Sequence, residues 1–401
     1  MDNETNVTVI DSLMGSGKTT WAIEHLRANP EERFIYITPL LEECTRVQQA
    51  IQTPERSVYT PMNCGDGKLD GMNQLLQEGR NVVCTHELFK RITKEILDLI
   101  RQNGYLLFID EEVSVFRVIT FKEDGDLRIL EEAGLLRTNE QNEIIWNDKL
   151  AGFRTSVDYL RDLTRNHSLY RVDNSHLVWK YPSDVFRAAK HVYIMTYLFD
   201  GSTMKPYFHM EHIDYQLRSV RKTPDGHELI PYAPADTRKF QDLIHVYQGK
   251  MNKGKRPSLS ANWYKTQPKS SILEIRQNLL NYMKNVTKSK SGEFLWTTYL
   301  EGYKTMVTSR LKSSFLSCST KGINTYMDRS NLAYMINRYA HPTLRTFYEK
   351  QHVPFNSDLW ALSEMLQWIW RSRIRCGEPI NIFIPSQRMR DLLSGWMQVQ
   401  M

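Results

Sequence analysis

The stretch Val7-Thr-Val-Ile-Asp-Ser-Leu-Met-Gly-Ser-Gly-Lys-Thr-Thr20 decides the fold. A β-branched run ends at Asp11, a glycine-rich turn follows, and Trp21, Ala22, His25 and Leu26 then recur at helical spacing. Strand, glycine loop and helix in that order aim the loop amides and a helix N-terminus at one point, which is how such loops hold phosphate. Ser12, Met14, Gly15, Ser16, Gly17, Lys18, Thr19 and Thr20 are therefore candidate ligands of a nucleoside triphosphate, with ATP the expected one. Lys18 is expected at the β- and γ-phosphates and the Thr19 hydroxyl on magnesium.

Outward from the loop, the next informative run is Tyr105-Leu-Leu-Phe-Ile-Asp-Glu-Glu112, an apolar stretch that ends in acids. Strands buried on both faces of a parallel sheet read this way. Acids at the carboxyl end of such a strand fall where ligands bind in open α/β sheets. Asp110 is the candidate magnesium ligand, and Glu111 the group that orients or deprotonates the attacking water. Two more strand-then-turn units, Phe34 to Pro39 and Asn81 to His86, lie between loop and acids, each followed by helix-like sequence. Alternation of strand and helix gives an α/β fold with a mostly parallel sheet flanked by helices.

Ser12 stands where the general loop pattern has Gly. The form Ser-x-x-Gly-x-Gly-Lys-Thr resembles the loop of superfamily-2 helicases, and that family implies two RecA-like domains with ATP in the cleft between them. The resemblance places Thr38, Pro39, Thr85 and His86 at motifs that grip a nucleic-acid backbone, although Thr and His at strand ends also serve as local caps. It also matches Thr196, at the end of a strand over His191 to Thr196, to a coupling motif. Tyr197 and Leu198 depart from that motif. Between them, the stretch from about 124 to 184 reads as an insertion or helical lobe whose acids argue against a backbone-binding face.

The pattern restarts after Met204, so the domains are expected at 1–205 and 206–401. Strands are expected at Ile213 to Leu217, Leu243 to Val246, Glu293 to Tyr299, Ser314 to Ser319 and Ile380 to Ile384, with a helix over Ile272 to Met283. Gly322 and Asn324 resemble the helicase motif that ends a strand in Ser or Thr, then Gly, then Asp or Asn. Gln367-Trp-Ile-Trp-Arg-Ser-Arg-Ile-Arg375 resembles the last motif, whose Gln and arginines close on the γ-phosphate. Trp370 stands at the family's Gly, and the family spacing of the second arginine falls on Ile374. If the helix from Asp358 continues, Arg371 and Arg375 share a face and Arg373 points away. That makes Arg371 and Arg375 the candidate catalytic arginines and Gln367 a nucleotide contact. Met389, Leu392, Leu393, Trp396 and Met397 recur at helical spacing as core.

The 401 residues suffice for two domains. The net charge is +6, yet from Arg238 to Lys290 twelve Lys and Arg face two acids, Asp242 and Glu274. This basic segment, interleaved with Tyr247, Trp263 and Tyr264, suits phosphate contacts with bases stacked on rings. No run of about 20 apolar residues would span a bilayer. The polar, acidic N-terminus argues against export, and the five cysteines have no CxxC pair, which fits a reducing cytoplasm. With the helicase resemblance this implies an ATP- and magnesium-dependent motor on nucleic acid, DNA before RNA, with replication, recombination or repair proteins as partners. A compact motor of this kind is expected of a phage, acting in the host cytoplasm. A terminase-type packaging ATPase would need a nuclease carboxylate cluster in the second half, where the acids are scattered. A P-loop kinase or switch would need neither the basic segment nor the second sheet.

Overall fold

The computed structural model describes residues 6–65, 67–121, 123, 125–150, 157, 159–164, 167–252, 258–320 and 325–399. Gly322, Asn324 and, in the basic segment, Lys253, Lys255 and Arg256 lie outside the described residues. The chain forms two compact units. One comprises Met1–Asp11, Ser16–Tyr232 and His341–Phe355, the other Ser12–Gly15, Ala233–Ala340 and Asn356–Met401.

The first unit is built on an eight-stranded sheet in the order Gly226–Pro231, Gln216–Thr223, Val7–Asp11, His191–Thr196, Leu106–Asp110, Phe34–Thr38, Asn81–Thr85 and Val58–Tyr59. Every neighbouring pair is parallel except the first, a hairpin. Apolar residues on both faces are what this requires, because helices cover both sides. Val9, Ile35, Leu107 and Ile109 feed one core. Their chain neighbours Ile10, Phe34, Tyr36 and Phe108 feed the other, as the two-residue period of a strand dictates.

The expected boundary at 205/206 is corrected by this sheet. Gln216–Thr223 pairs with the phosphate-loop strand, Val9 opposite Leu217, so the hairpin that ends at Pro231 belongs to the first unit. The first unit also holds the helix Pro342–Lys350, whose Tyr348 hydroxyl donates to the Thr203 carbonyl at 3.0 Å and whose rings pack on Phe116. The stretch read as an insertion or helical lobe holds both kinds of element, the helices Asp126–Glu132 and Tyr159–Leu163 together with strands. Phe116–Thr120, His176–Lys180 and Leu169–Arg171 form an antiparallel sheet, with the hairpin Leu136–Thr138 and Ile144–Trp146 beside it.

The second unit has a four-stranded, wholly parallel sheet in the order Ile244–Val246, Ile380–Phe383, Asn331–Tyr334 and Phe294–Thr297. Phe315 makes only an isolated bridge to Trp296, so the strand expected from Ser314 to Ser319 does not form. The helix expected over Ile272 to Met283 runs Lys269–Asn281 and ends in a π-turn at Tyr282–Val286. Met389, Leu393, Trp396 and Met397 are buried on the last helix, Gln387–Met397. Among the described residues no helix is long and apolar enough to cross a membrane.

Candidate nucleotide-binding site

The phosphate loop leaves a fully buried strand, Val7–Asp11, and enters the helix Lys18–Ala28 through Gly15 and Gly17, at φ of 80° and 97°. Only glycine takes these angles without strain. At Gly17 space is as decisive as angle, since a Cβ there would fall 2.3 Å from the His227 imidazole. His227 sits on the sheet-edge hairpin and is held by Glu24, which accepts its backbone N–H at 2.9 Å and lies 3.2 Å from its Nδ1.

Sheet register brings the loop and the acids level. Asp11 pairs with Thr196, and Met195 with Asp110, so the carboxyl ends of three adjacent strands open on one edge. Thr19 Oγ1 donates to Asp110 Oδ2 at 2.9 Å, and the buried Tyr36 hydroxyl donates to the same oxygen at 2.9 Å. Burial, reinforced by the charge of Glu111, raises the Asp110 carboxyl above its ordinary value, while Tyr36, Thr19 and Lys18 draw it back. Burial also raises Asp11, whose two oxygens accept the Leu198 and Phe199 amides at 2.9 Å each and which the Lys18 charge partly offsets. Two desolvated carboxyls thus share the field of one lysine. An oxygen-only pair of hydroxyl and carboxylate in such a field fits a hard divalent cation.

The three acids divide their work. Glu111 has φ of 61°, a left-handed conformation for a side-chain-bearing residue. Such strain, of order 1–3 kcal/mol, persists where the surroundings over-determine it, commonly at functional sites. Glu112 instead caps a turn, accepting the Thr203 N–H at 2.9 Å and its hydroxyl at 2.8 Å.

The candidate backbone-gripping residues are placed differently from one another. Pro39 is half-exposed, but Thr38 is 1% and His86 6% exposed. His86 Nε2 lies 2.9 Å from the Asp110 carbonyl oxygen, and Thr85 caps its own short helix by accepting the Leu88 N–H at 3.3 Å. Sequence reading missed Tyr36, Asp11, Glu24 and His227. A buried tyrosine inside an otherwise apolar strand, Phe34-Ile-Tyr-Ile-Thr38, was the available signal for the first of these.

In the second unit the helix Ser357–Ile369 ends before Arg371, and Arg373–Cys376 forms a 3₁₀ turn. The expectation that one continuous helix aligns Arg371 with Arg375 is therefore corrected. Arg371 is 6% exposed and Arg375 is exposed. Arg373 donates through Nε to the Pro379 carbonyl at 2.6 Å, and Gln367 Nε2 reaches Ser363 Oγ at 3.4 Å. Trp370 replaces the resembled glycine because it is a core residue here, edge-on to Phe240 and Trp396. Of the three rings expected to stack bases in the basic segment, Trp263 is half-exposed and the other two are engaged by the core. Tyr264 is buried with its hydroxyl on the Met335 carbonyl at 2.8 Å, and Tyr247 packs edge-on against Tyr282 and Phe383. Lys250, Lys265, Lys269, Lys284, Lys288 and Lys290 face solvent.

Three solved structures are similar to the chain. They are S. tokodaii Xpd4 (12% identity, 98% of this chain and 94% of that one, TM-score 0.49), a hypothetical ATP-dependent RNA helicase from Sulfolobus tokodaii (11%, 98% and 90%, 0.28), and the DUF1998 helicase MrfA bound to DNA (10%, 95% and 46%, 0.34). At these identities and TM-scores the likenesses add nothing to the geometry. Residues 238–397 match the family model described as the YonV C-terminal Rossmann-like domain. The SPbeta prophage-derived uncharacterized protein YonV of Bacillus subtilis (strain 168) is 35% identical over 413 residues, which span 98% of this chain and 99% of that protein. Matched over nearly all of both sequences at that identity, the chain belongs to the YonV family.

Proposed function

We propose that the chain is a nucleic-acid-stimulated ATPase of the superfamily-2 helicase type, acting on DNA in preference to RNA. The observation that carries this reading is the Thr19 Oγ1 to Asp110 Oδ2 contact of 2.9 Å, which joins the glycine loop to the acid strand. Loop amides from Met14 to Thr20 and the Lys18 ammonium would cradle the β- and γ-phosphates. Thr19 and Asp110 would hold magnesium, which when bound neutralises charge on the phosphate oxygens.

Glu111 accepts a proton from water as that water attacks the γ-phosphorus and the bond to the ADP oxygen breaks. Asp110, whose Oδ2 already accepts from Tyr36 and Thr19, is given the metal rather than the proton. Arg371 or Arg375 supplies positive charge to the transferring phosphoryl group, a contribution of order 10³–10⁵ in rate where such arginines act. Nucleotide binding and turnover test the assignment together. Lys18→Ala is expected to lose both. Glu111→Gln is expected to bind ATP as the wild type does and turn it over slowly. Near-normal turnover in either variant would mean that the loop or the base is misassigned.

A further inference from the structure

The first unit contains a cavity of about 620 Å³ away from the phosphate loop. One wall is the segment that follows Thr85 and His86, with Glu87, Lys90 and Arg91. The facing wall is the small antiparallel sheet and its neighbouring helix, with Arg117, Trp179 and Tyr159. We propose that this cavity is a binding site for single-stranded nucleic acid, taking a backbone phosphate between the arginines and a base against the aromatic wall.

Charge comes first. Lys90 is engaged by Glu87 at 2.6 Å. Arg91 and Arg117 are both exposed, and among the described residues neither side chain makes an ion pair or hydrogen bond. Among the described residues the lining therefore carries three cations against one acid, and two of those cations have no described partner. Convergent unpaired guanidinium groups are suited to phosphate, whose oxygens accept their fork of donors. Several described acids of this lobe are engaged elsewhere: Glu131 pairs with Arg171 at 3.0 Å and Asp148 with Arg161 at 2.9 Å.

The aromatic part is placed beside that charge. Trp179 lies directly opposite Arg117 in antiparallel register, so the two share one face of the sheet. Tyr159 is 45% exposed, which leaves a ring face open at the rim. Trp179 itself is only 6% exposed and backs the cavity, so Tyr159 is the ring a base can reach; a cationic groove with an accessible ring holds single strands without reading sequence. The volume is that of a small-ligand site, about 300–1,000 Å³, large enough for one nucleotide unit and too small for a duplex.

Both walls are wired to the hydrolytic acids. His86 Nε2 lies 2.9 Å from the carbonyl of Asp110, immediately before Glu87. On the other side Ser114 and Phe116 of the lining lie a few residues after Glu112 in the chain. Filling the cavity would therefore press on both ends of the strained turn at Glu111, a route for nucleic acid to stimulate turnover. The proposal rests on the ATPase reading above and adds where the strand is held.

The test is fluorescence anisotropy of labelled oligo-dT and oligo-rU with the full-length protein, titrated over salt, beside the ATPase rate with each. Wild type is compared with Arg91→Ala/Arg117→Ala, Tyr159→Ala and, as a remote exposed cation, Lys284→Ala, each checked for an unchanged melting temperature. The expected results are affinity lost at least about tenfold in the double variant, with the salt slope reduced by about two. Tyr159→Ala is expected to lose about fivefold or more, with little salt dependence. Lys284→Ala is expected to bind like wild type. Wild-type affinity and slope in the double variant would overturn the cavity while leaving the ATPase reading intact. Failure of the wild type to bind or respond to either strand would overturn the motor reading itself. A larger loss on oligo-dT than on oligo-rU would favour DNA as the source of the strand, and the reverse RNA.

Discussion

Asp110 is the residue on which the chemistry and the stability of the first unit pull in opposite directions. Its Oδ2 accepts from Thr19 and Tyr36, yet burial and the neighbouring Glu111 hold its carboxyl above the ordinary range. A raised folded value means that the native state binds the proton more tightly than the unfolded chain. Ionised Asp110 therefore costs stability at neutral pH, and the cost fades as pH falls through the raised value toward the ordinary 3.8. Without nucleotide, Asp110→Asn is expected to melt above the wild type at about pH 8, with the gap closing toward about pH 4. A lower melting temperature at about pH 8 would contradict this. The same variant should lose magnesium-dependent turnover. For Glu111→Gln, loss of a positioned base is worth about 10²–10⁴ in rate, read as single-turnover hydrolysis at saturating ATP.

At the scale of elements, the end of the helix Ser357–Ile369 carries the argument. Trp370 at its C-cap fills space between Phe240 and Trp396, where the resembled motif has glycine. Placing that glycine here is therefore expected to harm the protein. Trp370→Gly should cost about 3–5 kcal/mol, the range for emptying a large buried ring site, read as a lowered urea midpoint for the second unit. An unchanged midpoint would mean that the ring is not structural. This element also shows what sequence conveys. The strands Val7–Asp11 and Leu106–Asp110 were legible because burial on both faces demands unbroken apolar runs. Helix termination at Ile369 was not, because nothing in Arg-Ser-Arg-Ile-Arg breaks a helix locally, and the core contacts of Trp370 at the C-cap are tertiary. The rings at Tyr247 and Tyr264 misled for a related reason. Charge interleaved with aromatics describes both a stacking surface and a segment whose rings turn inward, as Tyr264 does on the helix Ala261–Thr266 and Tyr247 after the strand Ile244–Val246.

Over the whole molecule the chain crosses between its two units more than once. The first unit takes back His341–Phe355 after more than a hundred residues spent in the second. Sequence periodicity cannot show this, since it reports which face of an element is buried and not against what. The same limit moved the boundary past the hairpin that ends at Pro231, because an edge strand reads alike whichever sheet it joins. Tyr348 anchors the returning helix through the Thr203 carbonyl and the ring of Phe116. Tyr348→Ala is expected to cost about 3–5 kcal/mol, seen as faster hydrogen exchange in Phe34–Thr38 with little change in Asn331–Tyr334. Equal acceleration in both sheets would mean that the helix does not belong to the first unit alone.

The proposed function requires that ATP turnover at the loop answer to nucleic acid. It is tested most directly by the steady-state ATPase rate of the purified full-length protein, alone and with saturating single-stranded DNA, duplex DNA or RNA. A Lys18-dependent rate that rises at least about tenfold with single-stranded DNA, and less with RNA, is the expected result. A rate that is the same with every nucleic acid as with none would contradict the motor and leave only a nucleotide-binding fold.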